Sequence, residues 1–205
     1  RKIDFWIDRL GIEWHAMGKT KYLPVLINYV LTPLSVWLYS QINSEFYLDY
    51  LEEQLVFLVP LFSVWWSLLI MYQYVEGNGR ELLYIDRSSR AISVFFYYVL
   101  YIFSIIPILL YIMNHMPRAV IILPKLLSQS FMFSGIIYMM GILTDSISYG
   151  FILIFAFSLF SGNRLDKLLR GFGIEPVQSS LGYVVIGIIC FAGGIIMEKN
   201  SENKY

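Results

Sequence analysis

The chain has 205 residues, of which 58% are hydrophobic and 18% aromatic, and its formal net charge is zero. Soluble domains hold roughly 45–50% apolar residues, so this composition, with a mean hydropathy of +0.62, excludes a soluble enzyme. With charges that cancel in sum, any electrostatic role must come from where they sit along the chain, and nothing points to a nucleic-acid partner.

The first stretch is amphipathic. Ile3, Trp6, Leu10, Trp14 and Met17 recur at three- and four-residue intervals, while Asp4, Asp8, Arg9 and Glu13 fall largely elsewhere on the helical wheel. This pattern predicts a helix lying along the membrane surface, with its tryptophans at headgroup level. Residues 1–21 are therefore expected to form a cytoplasmic interfacial segment. No apolar stretch ahead of a small-residue cleavage site is visible, so the first crossing is expected to do the targeting. Gly18-Lys19-Thr20 resembles the end of a phosphate-binding loop, but six residues separate Gly11 from Gly18 where that loop needs four. It reads instead as a basic collar.

A spanning helix needs about 20 mostly apolar residues. Six segments qualify in a membrane domain over residues 22–197: 22–42, 54–75, 91–113, 126–143, 147–161 and 181–197. The fifth is short for a full crossing. The segment before the first crossing carries Arg1, Lys2, Arg9, Lys19 and Lys21, whereas the loop 43–53 holds no basic residue and carries Glu45, Asp49, Glu52 and Glu53. Basic residues are retained in the cytoplasm, so six crossings put both termini inside, with ten basic residues inside and five outside. Residues 198–205 form the cytoplasmic tail. Residues 162–180, with Arg164, Lys167 and Arg170 around Leu165, Leu168, Leu169 and Phe172, are expected outside as a short amphipathic helix before the last crossing. The expected fold is thus an all-α integral membrane protein of six transmembrane helices, with one amphipathic helix at the N-terminus and a short external one before the last crossing.

Reactive chemistry is sparse. The single cysteine, Cys190, removes disulfides and cysteine-based metal sites. His15 and His115 lack a second ligand at helical spacing, so no metal is expected. No serine stands in a nucleophile-elbow pattern. Glu76, Lys125, Asp145 and Glu198 fall at helix ends, leaving the predicted bilayer interior almost free of the charges that an ion-coupled carrier needs. The loop 76–90 is the most distinctive stretch: Glu76-Gly77-Asn78-Gly79-Arg80-Glu81-Leu82-Leu83-Tyr84 presents an apolar knob with a charged rim. Such a cluster asks for a covering partner.

These features together resemble the permease subunits of ABC-2 type exporters. The amphipathic stretch 3–17, the Glu-Gly-x-Gly-Arg-Glu-Leu-Leu loop, the short connection near Asp145 and an external stretch ending at Pro176 occur in that family's order, although Gly-Ile-Glu-Pro stands where Asn-Pro is usual. The resemblance implies a bacterial plasma-membrane protein that pairs with a second permease subunit, the same or different. It would be driven by a separate cytoplasmic ABC ATPase holding ATP and Mg, with no cofactor in this chain. Glu76, Gly77, Gly79, Arg80, Glu81, Leu82, Leu83 and Tyr84 would couple to that ATPase. Trp65, Trp66, Phe131, Phe133 and Met139 would line an adaptable pathway for an exported peptide, antimicrobial or other amphiphile. A membrane-embedded lipid-modifying enzyme and a non-transporting assembly subunit are the competing expectations.

Overall fold

The computed structural model describes residues 2–42, 47–77, 90–115, 119–160 and 176–202. Every element among them is helical. Helix α1 (Lys2–Ala16) leads through a short 3-10 turn (Gly18–Tyr22) into α2 (Leu23–Leu26), a widened turn (Ile27–Leu31) and α3 (Thr32–Ile42). Four long helices follow: α4 (Tyr47–Val75), α5 (Arg90–His115), α6 (Ala119–Thr144) and, after the shorter α7 (Ile147–Phe160), α8 (Pro176–Glu202).

Among the described residues, four helical stretches are long and apolar enough to cross a membrane: Phe57–Val75, Arg90–Tyr111, Leu123–Thr144 and Ser180–Asn200. The other two expected crossings look different in the structure, and each difference has a local cause. In the first, Pro33 has no N–H to donate to the carbonyl of Tyr29, and its ring crowds that carbonyl. The backbone widens just before it into the π-type turn, where the Thr32 N–H reaches back to the Ile27 carbonyl and the Thr32 hydroxyl adds a 3.4 Å bond to the same oxygen. The helical run therefore consists of short pieces, yet its outer face is apolar throughout, with Leu26, Val30, Leu31, Leu34, Trp37 and Leu38 about half exposed. In the fifth, α7 has 14 residues. At 1.5 Å per residue it reaches about 21 Å, short of a hydrocarbon core of about 30 Å.

Helix α6 is the centre of the molecule. It packs most extensively on α8, then on α4, and also on α5 and α7. Its burial is high for an apolar helix, with Met132, Phe133, Ile137 and Tyr138 at most 2% exposed. The α6–α8 contact depends on glycine. A Cβ placed on Gly135 would lie 2.9 Å from the backbone oxygen of Gly187, and one on Gly187 would lie 2.6 Å from the Phe131 ring. The two backbones approach closely because neither position carries a side chain, as apolar helix pairs in lipid commonly do.

The α1 segment departs from the expectation of a helix floating at headgroup level. Trp14 packs edge-on against Trp66 with ring centroids 5.5 Å apart and stacks on Tyr97 at 6.5 Å, while Met17 is 3% exposed. Leu10, Trp14 and Met17 are thus covered by protein, because α4 and α5 offer aromatic partners at the matching height. The backbone carbonyls at the end of α1 and in the turn after it are met by three side chains of α4: Gln73 donates to Ala16, Trp65 to Thr20 and Trp66 to Lys21, at 3.1, 3.0 and 2.8 Å. Carbonyls left unpaired near hydrocarbon would be costly, so these donors fasten the turn to the bundle.

The loop residues 78–89, including the predicted apolar knob of Leu82, Leu83 and Tyr84, and the predicted external helix within 162–175 lie outside the described residues.

Candidate functional site

The segments that alternate crossings would put on one side of the membrane are found together at one end of the bundle. This end gathers α1, the end of α4, the start of α5, the α6–α7 turn and the end of α8. Two groups of buried charges hold it.

The first group is centred on Glu13, which is 1% exposed. One carboxylate oxygen, Oε1, accepts three hydrogen bonds: from Arg9 Nε at 2.9 Å, from Ser93 Oγ at 2.8 Å and from Tyr74 Oη at 2.5 Å. Arg9 sits one helical turn before Glu13 and also donates to Tyr74 Oη and Ser93 Oγ. The other oxygen, Oε2, is buried without a hydrogen-bond partner. Loss of water works against the Arg9 charge, but Tyr74 and Glu13 more than offset it and raise its pKa above the ordinary value. The guanidinium therefore stays charged in a buried place.

The second group joins α5, α6 and α8. Arg90 Nε pairs with Glu198 Oε1 at 3.2 Å, the Arg90 backbone N–H donates to the same oxygen at 3.3 Å, and Tyr138 Oη donates to Glu198 Oε2 at 2.6 Å. Tyr74 links the two groups. Its ring lies beneath both guanidinium groups, 6.0 Å from Arg9 and 5.8 Å from Arg90, within cation–π range.

A third fastening lies beside them. Glu76 Oε1 accepts from Ser146 Oγ at 2.9 Å and from the Ile147 backbone N–H at 3.1 Å. A carboxylate on the first amide of α7 satisfies a free donor and suits the positive end of the helix dipole. Before it, Gly77 and Glu76 both turn back to the Tyr72 carbonyl, and a Cβ on Gly77 would stand 2.8 Å from the Gln73 backbone. The loop that begins at Glu76 is therefore tied to the α6–α7 turn at its start and, through Arg90, to α8 at its end.

The residues expected to line a pathway are dispersed. Trp66 and Phe133 are core residues, 2% and 0% exposed. Trp65 is engaged with the Thr20 carbonyl, and Met139 faces Gly193 across the α6–α8 contact. Phe131 alone of the five lines a groove of about 690 Å³ between α5, α6 and α8. Of the coupling residues, Glu76 and Gly77 are described, and Gly79, Arg80, Glu81, Leu82, Leu83 and Tyr84 are not.

Sequence reasoning placed Arg9 and Glu13 on a water-facing side and left Glu198 to the interface. In the structure they are buried, as are Lys21 and Lys125. The available signal was the i, i+4 spacing of Arg9 and Glu13 together with tyrosines near the ends of the long helices. No group of three or more histidine, cysteine, aspartate or glutamate side chains that could hold a metal occurs among the described residues.

A chain whose described elements are all helical, four of them apolar and of membrane-crossing length, and which is clamped at one end by buried ion pairs, is a membrane protein. No protein-family model, curated protein or solved structure matches the chain significantly.

Proposed function

We propose that the chain is the membrane-spanning permease subunit of an ATP-driven exporter, moved by a separate cytoplasmic ATPase that engages the loop 76–90. In this reading the chain makes six crossings with both termini in the cytoplasm of a bacterial cell, the short α7 forming the fifth. It works beside a second permease subunit and moves a peptide, an antimicrobial or another amphiphile outward.

The observation that carries this reading is that both ends of the loop are fastened to several helices at once. Glu76 holds the start of α7, and Arg90 holds Glu198 of α8 while lying over Tyr74 of α4. A displacement applied to the loop would then reach α4, α5, α7 and α8 together. The same clamp weakens the enzymatic alternative. Arg9, Glu13, Tyr74 and Ser93 are polar groups in mutual contact, but all are at most 7% exposed, which leaves no room for a substrate among them.

The test is co-purification with candidate ABC ATPases, taking those encoded beside the chain first. A complex should form with one of them and be lost when Leu82 and Leu83 are replaced by Asp. Substrate turnover by the isolated chain, with no ATPase bound and unaffected by these substitutions, would overturn the proposal.

A further inference from the structure

The groove between α5, α6 and α8 is apolar along its length and charged at one end. Phe95, Phe131 and Phe191 form its aromatic wall, with ring centroids 5.3–6.4 Å apart. Ile188 and Ile195 extend that wall, and Glu198 and Lys199 stand at one end. Its volume of about 690 Å³ falls within the range of roughly 300–1,000 Å³ common for small-ligand sites. The candidate span Ser180–Asn200 ends one residue past Lys199, so the charged end of the groove lies at the membrane surface and the aromatic part within the hydrocarbon.

The two charges at this end are not equivalent. Both oxygens of Glu198 are occupied, one by Arg90 and the other by Tyr138, so its negative charge is neutralised within the protein. Lys199 is exposed, with no hydrogen bond or ion pair to any described residue. Among the described residues, with Arg90 set against Glu198, the open end carries one uncompensated positive charge, that of Lys199.

We propose that this groove seats one acyl chain of an anionic phospholipid, with the phosphate of its headgroup held by Lys199. The apolar length matches a hydrocarbon tail, and the lysine at the mouth matches a phosphate at the depth where headgroups lie. This inference requires only that the chain sits in a bilayer and stands apart from the exporter reading.

The test is native mass spectrometry of the full chain released from nanodiscs that contain phosphatidylglycerol and phosphatidylcholine with identical acyl chains. Wild type should retain one phosphatidylglycerol about fivefold in preference to phosphatidylcholine, the factor that one basic residue at a membrane surface provides. Lys199→Gln should retain both lipids alike. Ala192→Trp, at an exposed groove position, should retain neither. Ile188→Trp, at a position 55% exposed, is a second filling variant should the first lose its helical circular dichroism. Equal retention of the two lipids by wild type would overturn the proposal. So would undiminished phosphatidylglycerol on a filled groove, or a lipid-free dimer that the filling substitution dissociates, since the groove would then seat a second copy of the chain.

Discussion

At the scale of single residues, the ion pair between Arg9 and Glu13 is the most demanding feature of the structure. Two charges removed from water are tolerated only when each has its partners, and here three donors converge on one glutamate oxygen. Arg9→Met would leave that carboxylate buried and uncompensated, and should lower thermal stability in detergent by about 3–5 kcal/mol. Arg9→Met with Glu13→Leu removes both charges and should recover much of the loss. A double variant no more stable than the single one would show that the pair does not act as a unit. Tyr74→Phe tests the neighbouring hydroxyl, which both accepts from Arg9 and donates to Glu13. Its expected cost is about 0.6–1.7 kcal/mol, the range for polar contacts between helices in membranes.

At the scale of elements, helix identity follows local composition while helix length follows neighbours. The widened turn before Pro33 and the 14-residue α7 are each too short by themselves to meet a spanning criterion. Both are held by partners: Asn28 donates to Tyr101 Oη at 3.1 Å, and Glu76 caps α7. Glu76→Ala should therefore fray the start of α7, measured as faster amide exchange from Ile147 onward and unchanged exchange in the middle of α6. The α6–α8 pair is more sensitive to volume. Gly135→Ala puts a methyl 2.9 Å from a backbone oxygen of the other helix, which cannot move aside as a side chain could. The helices must separate, and a loss of about 1–3 kcal/mol is expected in a denaturation experiment. Gly182, whose added Cβ would meet nothing within 4 Å, is the matching control, and Gly182→Ala should be neutral.

At the scale of the whole molecule, the polar end gathers segments far apart in sequence, from α1 to the end of α8. If residues 76–90 and the C-terminal tail share one side, single cysteines at Asn78 and Ser201 in a Cys190→Ala background should react with an impermeant thiol reagent only in inverted vesicles. A cysteine at Met116 should react only in right-side-out vesicles. Asn78 and Met116 labelled from the same side would mean that α5 does not cross.

The membrane class, the all-helical fold and the approximate places of the four long apolar helices were legible in the sequence, because hydrophobic length is a local property and a bilayer imposes it directly. Three things were decided only by tertiary structure. Whether Trp14 faces lipid or protein depends on Trp66 and Tyr97, which lie on other helices. Whether Arg9, Glu13 and Glu198 are solvated depends on Tyr74, Ser93 and Tyr138 arriving from other helices to satisfy them. The pathway residues were dispersed for the same reason: an aromatic side chain carries no local sign of whether it will fill a core, bind a carbonyl or line a groove. Burial of a charge is a property of the neighbours that a fold brings to it, and no window along one helix contains them.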